Sequence, residues 1–351
     1  MFPLPLKTED VDAEWVTAAL SSRHAGVEVT SLKVGTVIRG TATKMQLLLE
    51  YNDAGREHGL PHSMVLKGGF DIPDVGNIVG LTGYAREVEF FNDVAPELDG
   101  INIPRTFFGA VDPDSGQALV LLEDLTVRNV TFGRATSPIT PEVAAESLDI
   151  MARYHALWWE SPRLAPLARF PGVLEPIILY LLGPENWAAC MGRPRAAAVT
   201  GELRDHDRIQ AAVVAMWERN KEAPGCFIHG DPHLGNMYFE PDGSPGFLDW
   251  QGAMCGTWAH DVTYFVIGSL EIDDRRAHER ALLSGYLERL ASYGAPAPGL
   301  DEAWLAYRRN VMHGFMWVVN PEELQPEDVN TACATRFARA AEDLATFAAL
   351  E

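Results

Sequence analysis

The sequence predicts an α+β protein with two lobes, the first built on an antiparallel sheet of five strands with an inserted helix and the second mainly helical. The chain has 351 residues, enough for two lobes and a sizeable core. Short β-rich segments dominate up to residue 125, and longer segments with helical spacing of apolar residues dominate after it. We therefore expect domains of residues 1–125 and 126–351.

The first lobe contains five β-rich segments, each bounded by Gly, Asp or Pro. These segments are residues 27–38, 44–51, 63–67, 105–111 and 117–122. The first two are joined by a short turn that has no room for a crossover helix, so we expect antiparallel pairing. Two helices are expected, residues 10–20 with Thr8 or Asp10 as N-cap, and residues 84–94, ending before Pro96.

The second lobe begins and ends with helical patterns. Residues 142–160 and 301–319 carry apolar residues at helical spacing. Between them lies a compact polar stretch, residues 226–252, in which two short apolar segments each run into acidic and amide residues. We expect this stretch to form a catalytic hairpin.

The composition excludes several classes of protein. The formal net charge is −21, whereas a general nucleic-acid or anionic-membrane binder needs a basic face. Hydrophobic residues make up 47% and charged residues 22% of the chain, which is typical of an ordinary globular protein and not of a disordered one. We expect a small-molecule partner and neither nucleic acid nor membrane.

The cysteines and the lengths of the apolar segments indicate the cellular compartment in which the protein is expected. None of the four cysteines forms a C-x-x-C pair, so neither a disulfide framework nor a zinc finger is indicated. We find no signal-peptide pattern, and no apolar run approaches the roughly 20 residues that a membrane span needs. We therefore expect a reduced, cytoplasmic protein.

The strongest chemical signal lies in the polar stretch. Asp231 and Asn236 are five residues apart, and Asp249 follows thirteen residues after Asn236 on a short strand-like segment. Phosphoryl transfer from ATP needs a carboxylate that orients the attacking hydroxyl and an Asn–Asp pair that holds Mg²⁺. This spacing is that of a kinase catalytic loop and metal-binding loop.

The same interpretation predicts an upstream lysine on a strand and a glutamate on the next helix. Met64-Val-Leu-Lys67 resembles the kinase V-A-I-K strand, and Glu87 and Glu89 lie on the following helix. Lys67 would neutralise the α/β-phosphates, and the glutamate would hold its ammonium in place. Because positions two apart on a helix face different ways, the choice between Glu87 and Glu89 depends on register and stays open.

Three motifs resemble the aminoglycoside phosphotransferase and choline kinase superfamily. They are His229-Gly-Asp-x-His-x-Gly-Asn236, Leu248-Asp-Trp-Gln251 and His260-Asp261. Within that superfamily, the Asp-Trp-Gln sequence and residues 60–67, 87–91 and 122–125 look most like ecdysteroid-kinase-like small-molecule kinases. The resemblance implies a protein-kinase-like fold, ATP as donor with GTP not excluded, and phosphorylation of a small-molecule hydroxyl.

The resemblance also implies roles for single residues of the second lobe. Asp231 would be the catalytic base, and Asn236 and Asp249 would be the Mg²⁺ ligands. His229 and Asp261 fall on positions that brace the catalytic loop in similar kinases.

In the first lobe, the resemblance makes Lys67 the phosphate anchor and Glu87 its partner, while the backbone of Glu123 to Leu125 meets the adenine. The chain departs from the kinase pattern at the phosphate-binding turn, because residues 38–44 contain one glycine and no G-x-G-x-x-G. Gly40 and the backbone at Thr41 are the remaining candidates for phosphate contact there.

Three alternatives to a small-molecule kinase stay open. His229, Asp231 and His233 write a pattern that suits a metal-dependent hydrolase. A catalytically inactive, kinase-like binding protein is the second. A protein kinase regulated by phosphorylation is disfavoured, because no Ala-Pro-Glu segment follows Asp249 and Gly230 replaces the catalytic-loop arginine.

The acceptor is open too. An acidic protein suits a polycationic alcohol, and aromatic-rich C-terminal helices suit an apolar one. His155, on the apolar stripe of residues 142–160, is either a core residue or a residue that lines the cleft.

Overall fold

A computed structural model describes residues 2–70 and 78–351. The chain divides into two compact units, Met1–Val130 with Leu248–Gly252, and Thr131–Phe247 with Ala253–Glu351. The short segment that carries Asp249 therefore packs with the first unit, although it follows more than a hundred residues of the second. The predicted division of the chain at residue 125 does not account for Leu248–Gly252, which belongs to the first unit. The functions assigned to the two domains stay a prediction.

The described part of the first unit contains a five-stranded antiparallel sheet with the order β1-β2-β3-β5-β4, which confirms the predicted fold class. Its strands are β1 (Val29–Ile38), β2 (Thr43–Tyr51), β3 (Ser63–Gly68), β4 (Thr106–Val111) and β5 (Ala118–Glu123). Its helices are α1 (Ala13–Ser21), α2 (Asp53–Glu57) and α3 (Ile78–Glu89). Met45, Leu47 and Leu49 occupy every second position of β2, so their side chains share one face of the strand and are buried in the core.

The predicted helix boundaries in this unit were partly wrong. Thr8 and Asp10 lie in a separate 3₁₀ turn, and the N-cap of α1 is Asp12, whose carboxylate accepts a hydrogen bond from the Trp15 amide at 2.8 Å. Helix α3 already includes Ile78, six residues before the predicted start, and continues as a π-helical turn, Phe90–Val94. Residues 78–83 contain two glycines, which are poor helix formers, so the sequence pattern did not indicate that the helix begins this early.

The second unit is mainly helical, as predicted. Its helices are α4 (Pro141–Leu157), α5 (Glu175–Leu181), α6 (Pro184–Cys190), α7 (His206–Glu222), α8 (Trp258–Ser269), α9 (Ile272–Ser292), α10 (Leu300–Asn310), α11 (Met316–Val319), α12 (Glu327–Asp343) and α13 (Thr346–Leu350). The helix expected over residues 301–319 is interrupted by a 3₁₀ segment, Val311–Phe315. Every residue of α8 is buried, so this helix forms the centre of the unit.

Short strands frame the polar stretch. They are β6 (Thr131–Phe132), β7 (Cys226–Ile228), β8 (Met237–Phe239), β9 (Pro245–Phe247) and β10 (Met254–Gly256). A hairpin forms within this stretch between β8 and β9, but it does not include the first apolar segment, because β7 pairs with β10 in a different sheet. The loop of residues 229–236 therefore joins two separate sheets.

Across the described residues, no helix combines the length and the apolar character that crossing a membrane requires.

Candidate active site

A buried lysine with two carboxylates occupies the first unit. The Lys67 Nζ atom on β3 lies 2.8 Å from Glu87 Oε1 on α3 and 2.8 Å from Asp249 Oδ1. Lys67 is 4% exposed and Glu87 is 2% exposed. Of the two glutamates that the sequence left open, Glu87 contacts the lysine, whereas Glu89 is exposed on α3.

The charges in this cluster stabilise one another. Burial by itself would lower the pKa of Lys67, but the carboxylates of Asp249 and Glu87 outweigh that effect and raise it. Burial also raises the pKa of Glu87, and the ammonium of Lys67 opposes this shift. The lysine therefore stays charged, although almost none of its surface meets solvent.

Asp249 has an unusual backbone and a second basic neighbour. Its φ of 59° lies in the left-handed region, which aspartate tolerates better than most residues and which is often found at functional positions. Its Oδ2 atom lies 3.7 Å from the Nζ atom of Lys44 on β2. The next residue, Trp250, stacks on Phe90 with ring centroids 3.8 Å apart and fixes this segment.

The glycine-poor turn lies between β1 and β2. Gly40 and Thr41 are exposed there, and the Thr41 carbonyl accepts a hydrogen bond from the Tyr84 hydroxyl. A Cβ atom on Gly40 would meet only the Ala42 carbonyl, at an ordinary 3.8 Å. Steric crowding therefore does not explain the glycine.

The segment expected to meet adenine runs from the end of β5 into a 3₁₀ turn that starts at Leu125. The Glu123 amide already donates to the Arg105 carbonyl at 2.9 Å. Asp124 lies between Glu123 and Leu125 in the chain. Its side chain is buried and accepts hydrogen bonds from Ser63 Oγ at 2.6 Å and Gln46 Nε2 at 2.7 Å.

Asp124 anchors this segment to the sheet. Its burial acts to raise the pKa, but hydrogen bonds from Ser63, Thr126 and Gln46 lower it overall. The sequence indicates no role for the side chain of Asp124, because its partners on β2 and β3 are 78 and 61 residues away in the chain.

The catalytic-loop candidates lie in the second unit. Asn236 Nδ2 donates to the Asp231 backbone carbonyl at 3.0 Å and to Asp231 Oδ2 at 3.2 Å. The Asp231 amide donates to His229 Nδ1 at 3.3 Å, and Gly230 adopts a φ of 82°. The Asp231 side chain remains 47% exposed, so its carboxylate is accessible while the loop around it is fixed.

A buried aspartate holds this loop by its main chain. Asp261 on α8 accepts hydrogen bonds from the amides of His229 at 2.7 Å and Gly230 at 3.0 Å, and from the Tyr154 hydroxyl at 3.0 Å. The carboxylate thus satisfies backbone donors that are shielded from water at the point where β7 ends. The neighbouring His260 donates from Nε2 to the Gly230 carbonyl at 3.0 Å.

Histidines support the charge on Asp261. Burial alone would raise the pKa of Asp261, but the hydrogen bond from His155 and the nearby imidazoles lower it to about 2. His155 is fully buried on α4, with Nε2 3.4 Å from Asp261 Oδ2 and Nδ1 2.8 Å from the Tyr286 hydroxyl. His155 is therefore a core residue. It contacts Asp261, and Asp261 in turn binds the backbone of the loop.

The hydrolase pattern does not form a metal site. His233 Nδ1 accepts a hydrogen bond from the Gly235 amide at 2.9 Å, and His229 Nδ1 accepts one from the Asp231 amide. Within residues 2–70 and 78–351, no three His, Cys, Asp or Glu side chains are arranged to hold a metal ion. The metal-dependent hydrolase therefore has no geometric basis in the described residues.

A buried lysine on a five-stranded sheet, paired with a glutamate on the helix that follows, and an Asp–Asn loop in a helical unit together define a protein with a kinase-like fold. The chain matches the model of the phosphotransferase enzyme family (APH) over residues 80–301, more than half of its length. The chain belongs to this family.

Two solved structures show the same protein-kinase-like fold. A Ralstonia eutropha protein assigned provisionally as an aminoglycoside phosphotransferase is 15% identical, with a TM-score of 0.52 over 95% of this chain and 98% of that one. Choline kinase from Cryptosporidium parvum is 12% identical, with a TM-score of 0.55 over 94% and 95%. No curated protein matches the sequence. The closer likeness to ecdysteroid-kinase-like enzymes stays a prediction.

Proposed function

We propose that this phosphotransferase transfers the γ-phosphoryl group of ATP, in the presence of Mg²⁺, to a hydroxyl group of a small molecule. The observation that carries the proposal is the ion-paired Lys67, with Glu87 and Asp249 each at 2.8 Å. A buried ammonium held by two carboxylates is a fixed positive charge of the kind that phosphoryl transfer uses to bind its donor.

The proposed donor-binding residues are Lys67 for the α/β-phosphates and Glu87 for the orientation of the lysine. Asp249 and Asn236 are the proposed Mg²⁺ ligands, and their carboxylate and amide oxygens are of the hard type that Mg²⁺ prefers. Asn236 directs its amide nitrogen toward Asp231, so its amide oxygen is the atom suited to a cation. When bound, Mg²⁺ would neutralise charge on the β/γ-phosphates.

Asp231 is the proposed catalytic base. Its carboxylate would orient the attacking hydroxyl and accept its proton as the bond to phosphorus forms. Asn236 restrains this carboxylate, and Asp261 restrains the backbone of His229 and Gly230. Catalysis would then depend on positioning and electrostatics more than on covalent chemistry.

The experiment is Mg²⁺-dependent ADP release from ATP over a panel of alcohols. The panel includes aminoglycosides, amino alcohols such as choline, sugars, macrolides and sterols, which separates polycationic from apolar acceptors. Asp231→Asn is run in parallel, with Asp242→Asn as a matched control in the exposed β8–β9 turn.

We expect one acceptor class to stimulate ADP release in the wild type and in Asp242→Asn. Asp231→Asn should still bind Mg-ATP but lose about 10²- to 10⁴-fold in rate, the usual contribution of a general base. Equal rates in wild type and Asp231→Asn would overturn the assignment of the base. A wild-type protein that does not bind Mg-ATP would overturn the proposed function and favour a kinase-like binding protein.

A further inference from the structure

A second lysine lies beside the proposed phosphate anchor. Lys44 on β2 is the direct partner of Lys67 on β3 in the antiparallel register. Because directly opposed residues of an antiparallel pair point to the same face, both lysines lie on one side of the sheet. Their ammonium groups meet the same carboxylate, since Lys44 Nζ lies 3.7 Å from Asp249 Oδ2 and Lys67 Nζ lies 2.8 Å from Oδ1.

The two lysines differ in how closely carboxylates neutralise their charges. Lys67 is buried, and two of the three N–H groups of its ammonium point to Glu87 and Asp249. Lys44 is 44% exposed, and its contact with Asp249 is longer than a hydrogen bond. Lys44 is therefore the more accessible cation in a cluster of two lysines and two carboxylates whose charges cancel.

A nucleotide needs more positive charge than this cluster offers through Lys67 alone. Mg-ATP carries net negative charge, and the protein has a formal net charge of −21, so the overall field does not attract it. Kinases usually add backbone N–H groups from a glycine-rich turn. Here that turn has a single glycine, and Lys44 is the second residue of the strand that follows it.

We propose that Lys44 is a second phosphate-binding lysine, which contacts the β/γ-phosphates of the donor and supplies charge that a glycine-rich turn supplies elsewhere. The inference rests on the proposed function. A lysine can move between a carboxylate and a phosphate because its ammonium sits on a flexible stem and donates in several directions. Asp249 would then hold Mg²⁺ in place of its present contact with Lys44, which would leave the ammonium of Lys44 available to the phosphates.

Binding of nucleotides of different phosphate number tests this role without turnover. Titration calorimetry compares Mg-ATP, Mg-ADP, AMP and adenosine in wild type, Lys44→Met and Lys44→Arg. Lys33→Met is the matched control, because it removes the same charge from an exposed position on β1. Thermal unfolding of each variant reports whether the fold is retained.

We expect Lys44→Met to weaken Mg-ATP binding about 10- to 100-fold, the range for a lost hydrogen bond to a charged group. AMP and adenosine should bind nearly as in the wild type, since they lack the terminal phosphates. Lys44→Arg should retain most of the Mg-ATP affinity, and Lys33→Met should match the wild type.

Two results would overturn the inference alone, namely unchanged Mg-ATP affinity in Lys44→Met, or an equal loss for Mg-ATP, AMP and adenosine. If the wild type itself failed to bind Mg-ATP, the proposed function would fall and the inference with it. These outcomes are distinguishable because the first two occur with normal wild-type binding.

Discussion

The Lys67 cluster and the catalytic loop hold their functional groups by different means. In the first unit, opposite charges on Lys67, Glu87 and Asp249 bind one another. In the second unit, the buried Asp261 binds main-chain amides, and the side chain of Asp231 stays half exposed. The Lys67 cluster is thus fixed by ion pairs between side chains, whereas the loop of the proposed base Asp231 is fixed mainly through its backbone, with one hydrogen bond from Asn236 to the carboxylate.

The difference has an energetic meaning. Removing one partner of a buried ion pair leaves an uncompensated charge, which costs more than the pair contributes. A loop that is anchored by its amides permits changes in its outward side chains, provided that the anchor remains. Four substitutions or conditions, from the largest expected effect to the smallest, test whether this contrast holds.

Replacing the anchor should have the largest effect. Asp261→Ala should lower the free energy of unfolding by about 4 kcal/mol, because buried amide donors of the loop lose a charged acceptor. Transfer activity should fall as well, since residues 229 and 230 are no longer held. Denaturant unfolding measures the loss, and Asp261→Asn, which keeps the shape and one acceptor oxygen, should lose less. Equal stability of Asp261→Ala and wild type would contradict the anchoring role.

Breaking the ion-pair cluster should come next. Lys67→Met should lower the free energy of unfolding by about 3 kcal/mol, because Glu87 is left buried without its cation. Adding Glu87→Gln to Lys67→Met should recover part of this loss, and a double-mutant cycle measures the coupling. Purely additive losses would mean that the two side chains do not depend on each other.

Acid should weaken the anchor by a predictable amount. The pKa of Asp261 is lowered from 3.8 to about 2 in the folded protein, so its carboxylate stabilises the fold above about pH 4. This contribution, about 2 kcal/mol, should disappear as the pH falls from about 4 toward 2. Unfolding free energies between pH 5 and pH 2.5 measure it, and Asp261→Asn should lack this component of the pH dependence.

The outermost contact of the anchor should matter least. Tyr286→Phe removes the hydroxyl that meets His155 Nδ1 and should cost about 1 kcal/mol of stability. Affinity for Mg-ATP should not change, because neither His155 nor Tyr286 is among the proposed nucleotide-binding residues or Mg²⁺ ligands. A loss as large as that of Asp261→Ala would show that His155 and Tyr286 are part of the anchor and not its periphery.

The sequence predicts local features of this molecule well. The five strands follow from β-rich segments and the Gly, Asp or Pro residues that bound them. Motifs whose members are close in the chain single out Lys67 and Asp231, and the roles of these two residues stay predictions. To choose Glu87 over Glu89, it was necessary to know only which face of helix α3 points toward Lys67. The sequence could not supply strand registers, because many registers satisfy the same apolar pattern.

The features that sequence analysis missed depend on distant partners. Lys44 becomes relevant because register places it opposite Lys67 and because Asp249, 205 residues later in the chain, reaches it. The anchoring role of the Asp124 side chain depends on Ser63 and Gln46, which are far away in the chain. Similarly, β7 pairs with β10 because tertiary packing overrides its proximity in sequence to β8 and β9.

The return of Leu248–Gly252 to the first unit has a covalent consequence. No single cut in the backbone separates the two units, because the chain passes between them at three points, after residues 130, 247 and 252. A fragment that ends at Val130 would carry Lys67 and Glu87 but only one of the two carboxylates that hold the lysine. Neither unit is therefore an autonomous module that could be exchanged between proteins as one continuous stretch of gene.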